Sequence, residues 1–187
     1  LVPLKDTAYF NTMRALSAIG VEHVKMSSLK PEEENYLRAF FNSEIRPIIS
    51  PQVVDKRHPF PFLKNKDIYA ITHLESKNSV KLGIIPANGS FPRMIILPDK
   101  ERLRFVLAEE VILRYCNSVF ENYRIIDKAL IRITRNADIN MEEALYDHDV
   151  DLRQVMEELL KKRKKLSPVR LEIYGCLNNE AEKFLCH

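Results

Sequence analysis

Apolar residues in the first third of the chain recur at the spacing of a helix. Between Pro31 and Pro47 they fall at positions i, i+3, i+4 and i+8: Leu37, Phe40, Phe41 and Ile45. This spacing places the four side chains on one face of an amphipathic helix. Proline suits the first position of a helix but interrupts its interior, so the pattern predicts a helix that begins at Pro31 and ends before Pro47.

Three further stretches show helical periodicity. They span residues 7–18, 108–120 and 151–165. Gly20 follows the first of these predicted helices, and glycine is suited to the position just after a helix end. Residues 178–187 are expected to form either a short helix or a frayed end.

Other stretches are short, rich in β-branched residues or alternate between apolar and polar positions, as strands do. They span residues 68–74, 80–85, 93–97, 129–134 and 169–173. The polar residues 76–79 predict a hairpin turn between the first two strands. Helices and strands interleave without an internal linker, so we predict a single α+β domain over residues 1–187, with a mixed, mostly antiparallel sheet covered by helices.

The segment Arg-His-Pro-Phe-Pro-Phe at residues 57–62 fits neither element. Four of the ten prolines fall between positions 47 and 61. Each proline lacks an N–H and fixes φ, which excludes a helix interior and a central strand. We therefore expect an extended, stiff connector whose two phenylalanine rings cover an apolar surface.

Composition indicates a folded domain of ordinary size. The chain has 187 residues, 45% of them hydrophobic and 29% charged, with a net charge of +3. A net charge this small gives little support to a nucleic-acid-binding function. No apolar run is long enough for a membrane span, and Lys5 and Asp6 interrupt any secretory signal, so a cytoplasmic protein is expected. Leu1 favours an excised piece of a longer chain over a processed one.

The residues that usually carry chemistry show no recognisable spacing. The cysteines, Cys116, Cys176 and Cys186, form no CxxC pair, so buried thiols are expected. The four glycines form neither a dinucleotide fingerprint nor a phosphate-binding loop. The five histidines lack metal-ligand spacing. We predict no metal site and no catalytic residue in this chain.

Two charged stretches allow a functional and a structural interpretation. His148 lies among aspartates that could raise its pKa or share a cation, but Asp149 and Asp151 are also placed to cap the following helix. The basic run at residues 161–165 could bind a polyanion or could be a solvated helix end. The structural interpretation is favoured for both.

Three arginines near the predicted strand ends are candidate anion ligands. Arg132 and Arg135 lie on or just after one strand and Arg170 lies on another. They could face a phosphate-bearing ligand together if these strands are neighbours. The alternative is an ordinary strand face with ion pairs to Glu172 and Asp138. The sequence leaves both interpretations open.

Several short segments that occur in a fixed order along the chain identify a protein family more specifically than any one of them alone. In chain order they are Glu-Glu-Asn-Tyr-Leu at 33–37, Phe-Phe at 40–41, Ile-Arg-Pro-Ile-Ile-Ser-Pro at 45–51, Val-Asp at 54–55, His-Pro-Phe-Pro-Phe-Leu at 58–63, Pro-Arg at 92–93, Glu-Glu-Val-Ile at 109–112, Arg-Ile-Thr-Arg-Asn-Ala-Asp at 132–138 and Pro-Val-Arg-Leu-Glu at 168–172. Over residues 20–175 the chain resembles the middle, or head, domain of the bacterial polyphosphate kinase family. Asn136 departs from the family, which commonly has an aspartate there.

The resemblance implies a longer parent enzyme that reversibly transfers the terminal phosphate of ATP to polyphosphate through a phosphohistidine. It implies ATP and Mg²⁺ as requirements of the parent, with none of the cofactors held by this chain. In the family the phosphorylated histidine and the metal-linked arginines belong to C-terminal domains, and an asparagine at the adenine belongs to the N-terminal domain. No catalytic role therefore carries over to a residue here, including His58 and His148.

The resemblance further implies that the domain contributes to dimer assembly and to the surroundings of the polyphosphate path. Its partners would be the other domains of the parent and a second copy, and the parent could associate with a membrane. Two alternatives are an autonomous polyanion-binding module using Arg132, Arg135, Arg170 and the basic run, and a pure oligomerisation module.

Overall fold

Helices and strands interleave along the part of the chain that the computed structural model describes, which is residues 2–55, 57, 60–76, 80–99, 101–136 and 167–186. The helices are α1 (Val2–Ala18), α2 (Pro31–Phe40), α3 (Ala108–Val119) and α4 (Asn179–Cys186). The strands are β1 (Val21–His23), β2 (Gln52–Val54), β3 (Ile68–Leu74), β4 (Lys81–Pro86), β5 (Met94–Ile96), β6 (Leu103–Leu107), β7 (Ile125–Arg135) and β8 (Pro168–Cys176).

The strands form two sheets. The larger has the order β2-β4-β3-β7-β8, and every neighbouring pair in it is antiparallel. The smaller has the order β1-β6-β5, in which β1 runs parallel to β6 and β5 antiparallel to it. The α+β class and the mostly antiparallel pairing are confirmed. The single sheet that was expected is divided in two because β6 pairs with β1 on one side and with β5 on the other, and these three strands do not pair with the larger sheet.

The central strands of the larger sheet are buried on both faces. Along β3, Ala70 and Leu74 belong to a core shared with α2 and α3, whereas Tyr69 and Ile71 belong to a second core that includes residues of α4. Successive side chains of a strand point to opposite faces, so one strand supplies both cores. The sheet is therefore the wall between two apolar layers.

Helix α2 begins at Pro31 as predicted and widens at its end. Arg46 N donates to Phe41 O at 2.7 Å, and residues Phe41–Ile45 form a π-helical turn. Both Phe41 and Ile45 are buried. The predicted helix up to Pro47 is thus confirmed, with a wider last turn than the α-helical spacing assumes.

The proline-phenylalanine connector is less buried than expected. The Phe60 ring lies 6.3 Å from the ring of Phe184 on α4, and the Phe62 ring lies beneath the guanidinium of Arg135 at 4.2 Å. Both rings stay largely exposed, and the buried apolar residue of this segment is Leu63. Phe62 therefore contacts a cation where an apolar surface was expected.

Several predicted features lie outside the described residues. They are most of the turn at 76–79, His58, Asp138, His148, the helix at 151–165 and the basic run at 161–165.

Of the three cysteines, Cys116 is buried as expected, whereas Cys176 and Cys186 are exposed. Desolvation by burial raises the pKa of the Cys116 thiol above its ordinary value. Within the described helices, none is both long and apolar enough to cross a bilayer.

Candidate functional site

Arg132 and Arg170 lie on the same face of the larger sheet. β7 and β8 are antiparallel neighbours, and their register places Arg132 opposite Glu172 and Thr134 opposite Arg170. Residues that pair across strands project to the same face. Arg132 Nε lies 3.6 Å from Glu172 Oε2, and Arg170 Nη2 donates to Glu172 Oε1 at 2.9 Å. One carboxylate therefore sits between two exposed guanidinium groups.

Arg135 lies on the other face. The register of β7 and β8 shifts between Thr134 and Arg135. The Arg135 Nε and Nη2 atoms donate to the carbonyl oxygen of Leu63 at 3.0 and 2.9 Å. With Ile133 and Phe184, Arg135 lines a groove of about 660 Å³ between the connector and α4.

The structure therefore brings together two of the three candidate anion ligands and separates the third. The ion pair to Glu172 that the structural alternative required is present for both Arg132 and Arg170. Asp138, the other acid that this alternative named, lies outside the described residues. Contact between these arginines and a polyanion stays a prediction.

A second polar cluster, at the start of α3, was not predicted from the sequence. Arg93 donates to both carboxylate oxygens of Glu109, with Nη2 to Oε1 at 2.6 Å and Nε to Oε1 at 3.0 Å and to Oε2 at 3.3 Å. The Glu109 carboxylate is buried, and its hydrogen bonds raise the pKa of the Arg93 guanidinium. Beside this pair, Asn88 donates to Asp67 at 2.6 Å, and together they line a crevice of about 250 Å³.

His23, the last residue of β1, contacts side chains of α1, β6 and α3. Its Nδ1 lies 2.8 Å from the Tyr9 hydroxyl of α1, and its Nε2 lies 2.9 Å from Glu110 Oε2 of α3. The imidazole also stacks on the Phe105 ring with centroids 5.1 Å apart. Because both ring nitrogens lie at hydrogen-bond distance from other side chains and one ring face stacks on Phe105, His23 links α1 to the rest of the domain. No periodicity or motif in the sequence predicted this role.

The described residues do not assemble a metal-type cluster. Among them, no group of three or more His, Cys, Asp or Glu side chains is close enough to hold an ion. His73 is buried in β3, with its Nδ1 2.9 Å from the side-chain nitrogen of Asn178.

Comparisons with known proteins agree on one family. The family model for the polyphosphate kinase middle domain matches residues 32–187. A polyphosphate kinase of Bacillus cereus is 34% identical over 175 residues, which are 90% of this chain and 24% of that protein. A polyphosphate kinase of Exiguobacterium sibiricum is 33% identical, with 92% of this chain and 24% of that protein covered.

A solved structure shares the fold. The crystal structure of polyphosphate kinase from Porphyromonas gingivalis superposes with a TM-score of 0.67 at 21% sequence identity. The match covers 95% of this chain and 25% of that one. The present chain therefore spans about a quarter of the length of the relatives that it matches.

Proposed function

Because this chain belongs to the polyphosphate kinase family, in which it matches the middle domain, we propose that it works inside a longer phosphotransferase. That parent enzyme reversibly transfers the terminal phosphate of ATP to a polyphosphate chain through a phosphohistidine. The proposal rests on the family match over residues 32–187 and on the length of the chain, which covers 24% of the length of the Bacillus cereus relative. A cytoplasmic location is part of the same proposal.

The domain's own role in this proposal is structural: it supports dimer assembly and shapes the surroundings of the polyphosphate path. Its described ion pairs favour this role, because they join separate elements of the fold. Arg93 pairs with Glu109 at 2.6 Å, and Arg104 Nε lies 3.2 Å from Glu33 Oε1. Catalysis of phosphoryl transfer needs cations aimed at the developing charge and an in-line nucleophile. Guanidinium groups paired internally are poorly placed for that task.

ATP and Mg²⁺ are assigned in this proposal to the other domains of the parent. When bound there, Mg²⁺ would neutralise the phosphate charge of ATP during transfer. Mg²⁺ prefers one or two carboxylates together with phosphate oxygens. In the present chain, the described Glu33, Glu109 and Glu172 each face an arginine instead. The residues described here thus offer the metal no free pair of carboxylates at these positions.

We expect the isolated 187-residue chain to make no polyphosphate from ATP. The reason is that the proposed nucleophile and the phosphate-binding cations belong to other domains of the parent. The purified chain and the full-length parent are incubated at equal molar concentration with ATP and Mg²⁺, and the polyphosphate formed is measured by gel electrophoresis. The parent serves as the control for assay conditions. Turnover by the isolated chain above the no-protein background would overturn the structural role.

Polyanion binding is a second candidate function, and the shared exposed face of Arg132 and Arg170 favours it. Removing both guanidinium groups in R132A/R170A should weaken polyphosphate binding and reduce the dependence of log Kd on log salt by about 1–2. Fluorescence anisotropy with labelled polyphosphate at several salt concentrations measures both effects. Arg124→Ala, an exposed arginine outside this face, is the matched control. Equal binding by all three proteins would exclude Arg132 and Arg170 as ligands.

A further inference from the structure

Among the described strands, β8 is an outer strand of the larger sheet, and it is long. It spans nine residues, Pro168–Cys176, and all of them are half-buried or exposed. Within the described residues β8 pairs with β7 on one side and with no strand on the other. Val169 and Tyr174 are 64% and 68% exposed. A long edge strand with exposed apolar residues is a template for pairing with another strand.

The regular part of this edge has defined ends. Gly175 has a φ of +116°, which breaks the extended conformation after Tyr174. A Cβ at this position would lie 3.1 Å from the Lys128 carbonyl oxygen, which leaves a side chain little room. At the other end, the register shift against β7 leaves Val169 without a paired residue on β7. The regular segment therefore runs from Arg170 to Tyr174, with Arg170 and Glu172 on either side of Leu171.

Two copies of one strand that pair antiparallel about a twofold axis place one residue opposite itself. With Leu171 at the axis, Arg170 lies opposite Glu172 of the second copy, and Val169 lies opposite Ile173 of the second copy. With Arg170 or Glu172 at the axis, two like charges would lie opposite each other, which is destabilising. Among registers centred on 170, 171 and 172, charge complementarity thus selects Leu171.

In the register centred on Leu171, the rows of side chains that run across β7 and β8 would continue into the second copy. On one face, Arg132 is opposite Glu172 within a copy, and Glu172 would then be opposite Arg170 of the second copy. The row of side chains alternates in charge across the junction. On the other face, Ile131 is opposite Ile173, and Ile173 would continue to Val169 of the second copy. One face of the junction is therefore ionic and the other is apolar.

We propose that the outer edge of β8 pairs antiparallel with β8 of a second copy, centred on Leu171, so that two five-stranded sheets become one. The partner is a second copy of this chain because its own charge pattern is complementary to itself in this register. The proposal rests on the assembly role given above and names the surface that carries it.

Charge reversal at the two paired positions tests the register. Arg170→Glu and Glu172→Arg each place like charges opposite each other twice, and each should raise the dimer Kd by about tenfold or more. In an equimolar mixture, the two acidic side chains of the first variant lie opposite the two basic side chains of the second across the axis. Dimers should therefore return in the mixture to near the wild-type Kd. Sedimentation velocity over a concentration series compares the wild-type chain, each variant and the mixture.

Arg124→Glu is the control for a change of net charge, because Arg124 is exposed and precedes β7 rather than lying on β8. Far-UV circular dichroism checks that each variant is folded, and recovery in the mixture excludes unfolding as the cause of lost dimers. A dimer that neither reversal weakens would overturn the β8 pairing and leave assembly through another surface. A chain that stays monomeric would also overturn it, and the oligomeric state of the full-length parent then decides separately whether the assembly role survives.

Discussion

Replacing Phe41 with alanine is expected to lower the free energy of unfolding by about 3–5 kcal/mol. The Phe41 side chain is 1% exposed, and its ring lies 5.3 Å from the Tyr115 ring of α3. It is the first residue of the π-helical turn Phe41–Ile45, which follows α2 and precedes β2. Truncation leaves a cavity that this constrained backbone cannot close by moving. Urea denaturation followed by circular dichroism gives the difference in unfolding free energy.

Phe10→Ala is the matched control, since it removes the same atoms from a ring that is 66% exposed on α1. Its effect should stay within about 0.5 kcal/mol. Equal losses of stability in the two variants would show that the core beneath α3 is not closely packed around Phe41.

Replacing Glu33 with alanine should be nearly as damaging, at about 3–5 kcal/mol. Glu33 is 1% exposed at the first turn of α2, and its Oε2 accepts a hydrogen bond from Lys30 N at 2.8 Å. Its Oε1 lies 3.2 Å from Arg104 Nε on β6. Without the carboxylate, the largely buried Arg104 guanidinium keeps Glu22 at 3.8 Å as its acidic partner among the described residues, and the backbone N–H of Lys30 loses its acceptor. The change in urea midpoint at constant slope measures the loss.

Glu32→Ala provides a control on the same helical turn, because Glu32 is exposed and Glu33 is not. A loss within about 0.5 kcal/mol is expected for it. The double variant E33A/R104M removes the unpaired charge, and it should be more stable than Glu33→Ala alone. A double variant that is less stable than Glu33→Ala would mean that Arg104 supports the fold independently of Glu33.

Periodicity predicted the elements that are long enough to show it. α2, α3, β3 and β4 were predicted near their observed bounds because each contains several turns or alternations. β1, β2 and β6 were not predicted, because strands of three to five residues contain too few alternations to show a period reliably. The strand predicted from residue 129 begins at Ile125 in β7.

The candidate site was less predictable because it depends on register. That Arg132 and Arg170 share a face follows from the pairing of β7 with β8, which no local pattern specifies. Arg135 lies three residues after Arg132 on the same strand, so alternation of side chains places it on the opposite face, where it contacts Leu63 and Phe62. Family membership was easier to predict, because an ordered set of segments over most of the chain is specific even where single residues are not.

The position of β3 has a consequence for how the domain opens. β3 has a strand on each side and an apolar layer on each face, so its amide groups are shielded in every direction. Neither layer can separate from the sheet without exposing side chains of this one strand. Hydrogen exchange at β3 should then proceed through global unfolding, with edge strand β8 exchanging by smaller local openings. β3 thus sets the cooperativity of the domain and makes both layers unfold as one unit.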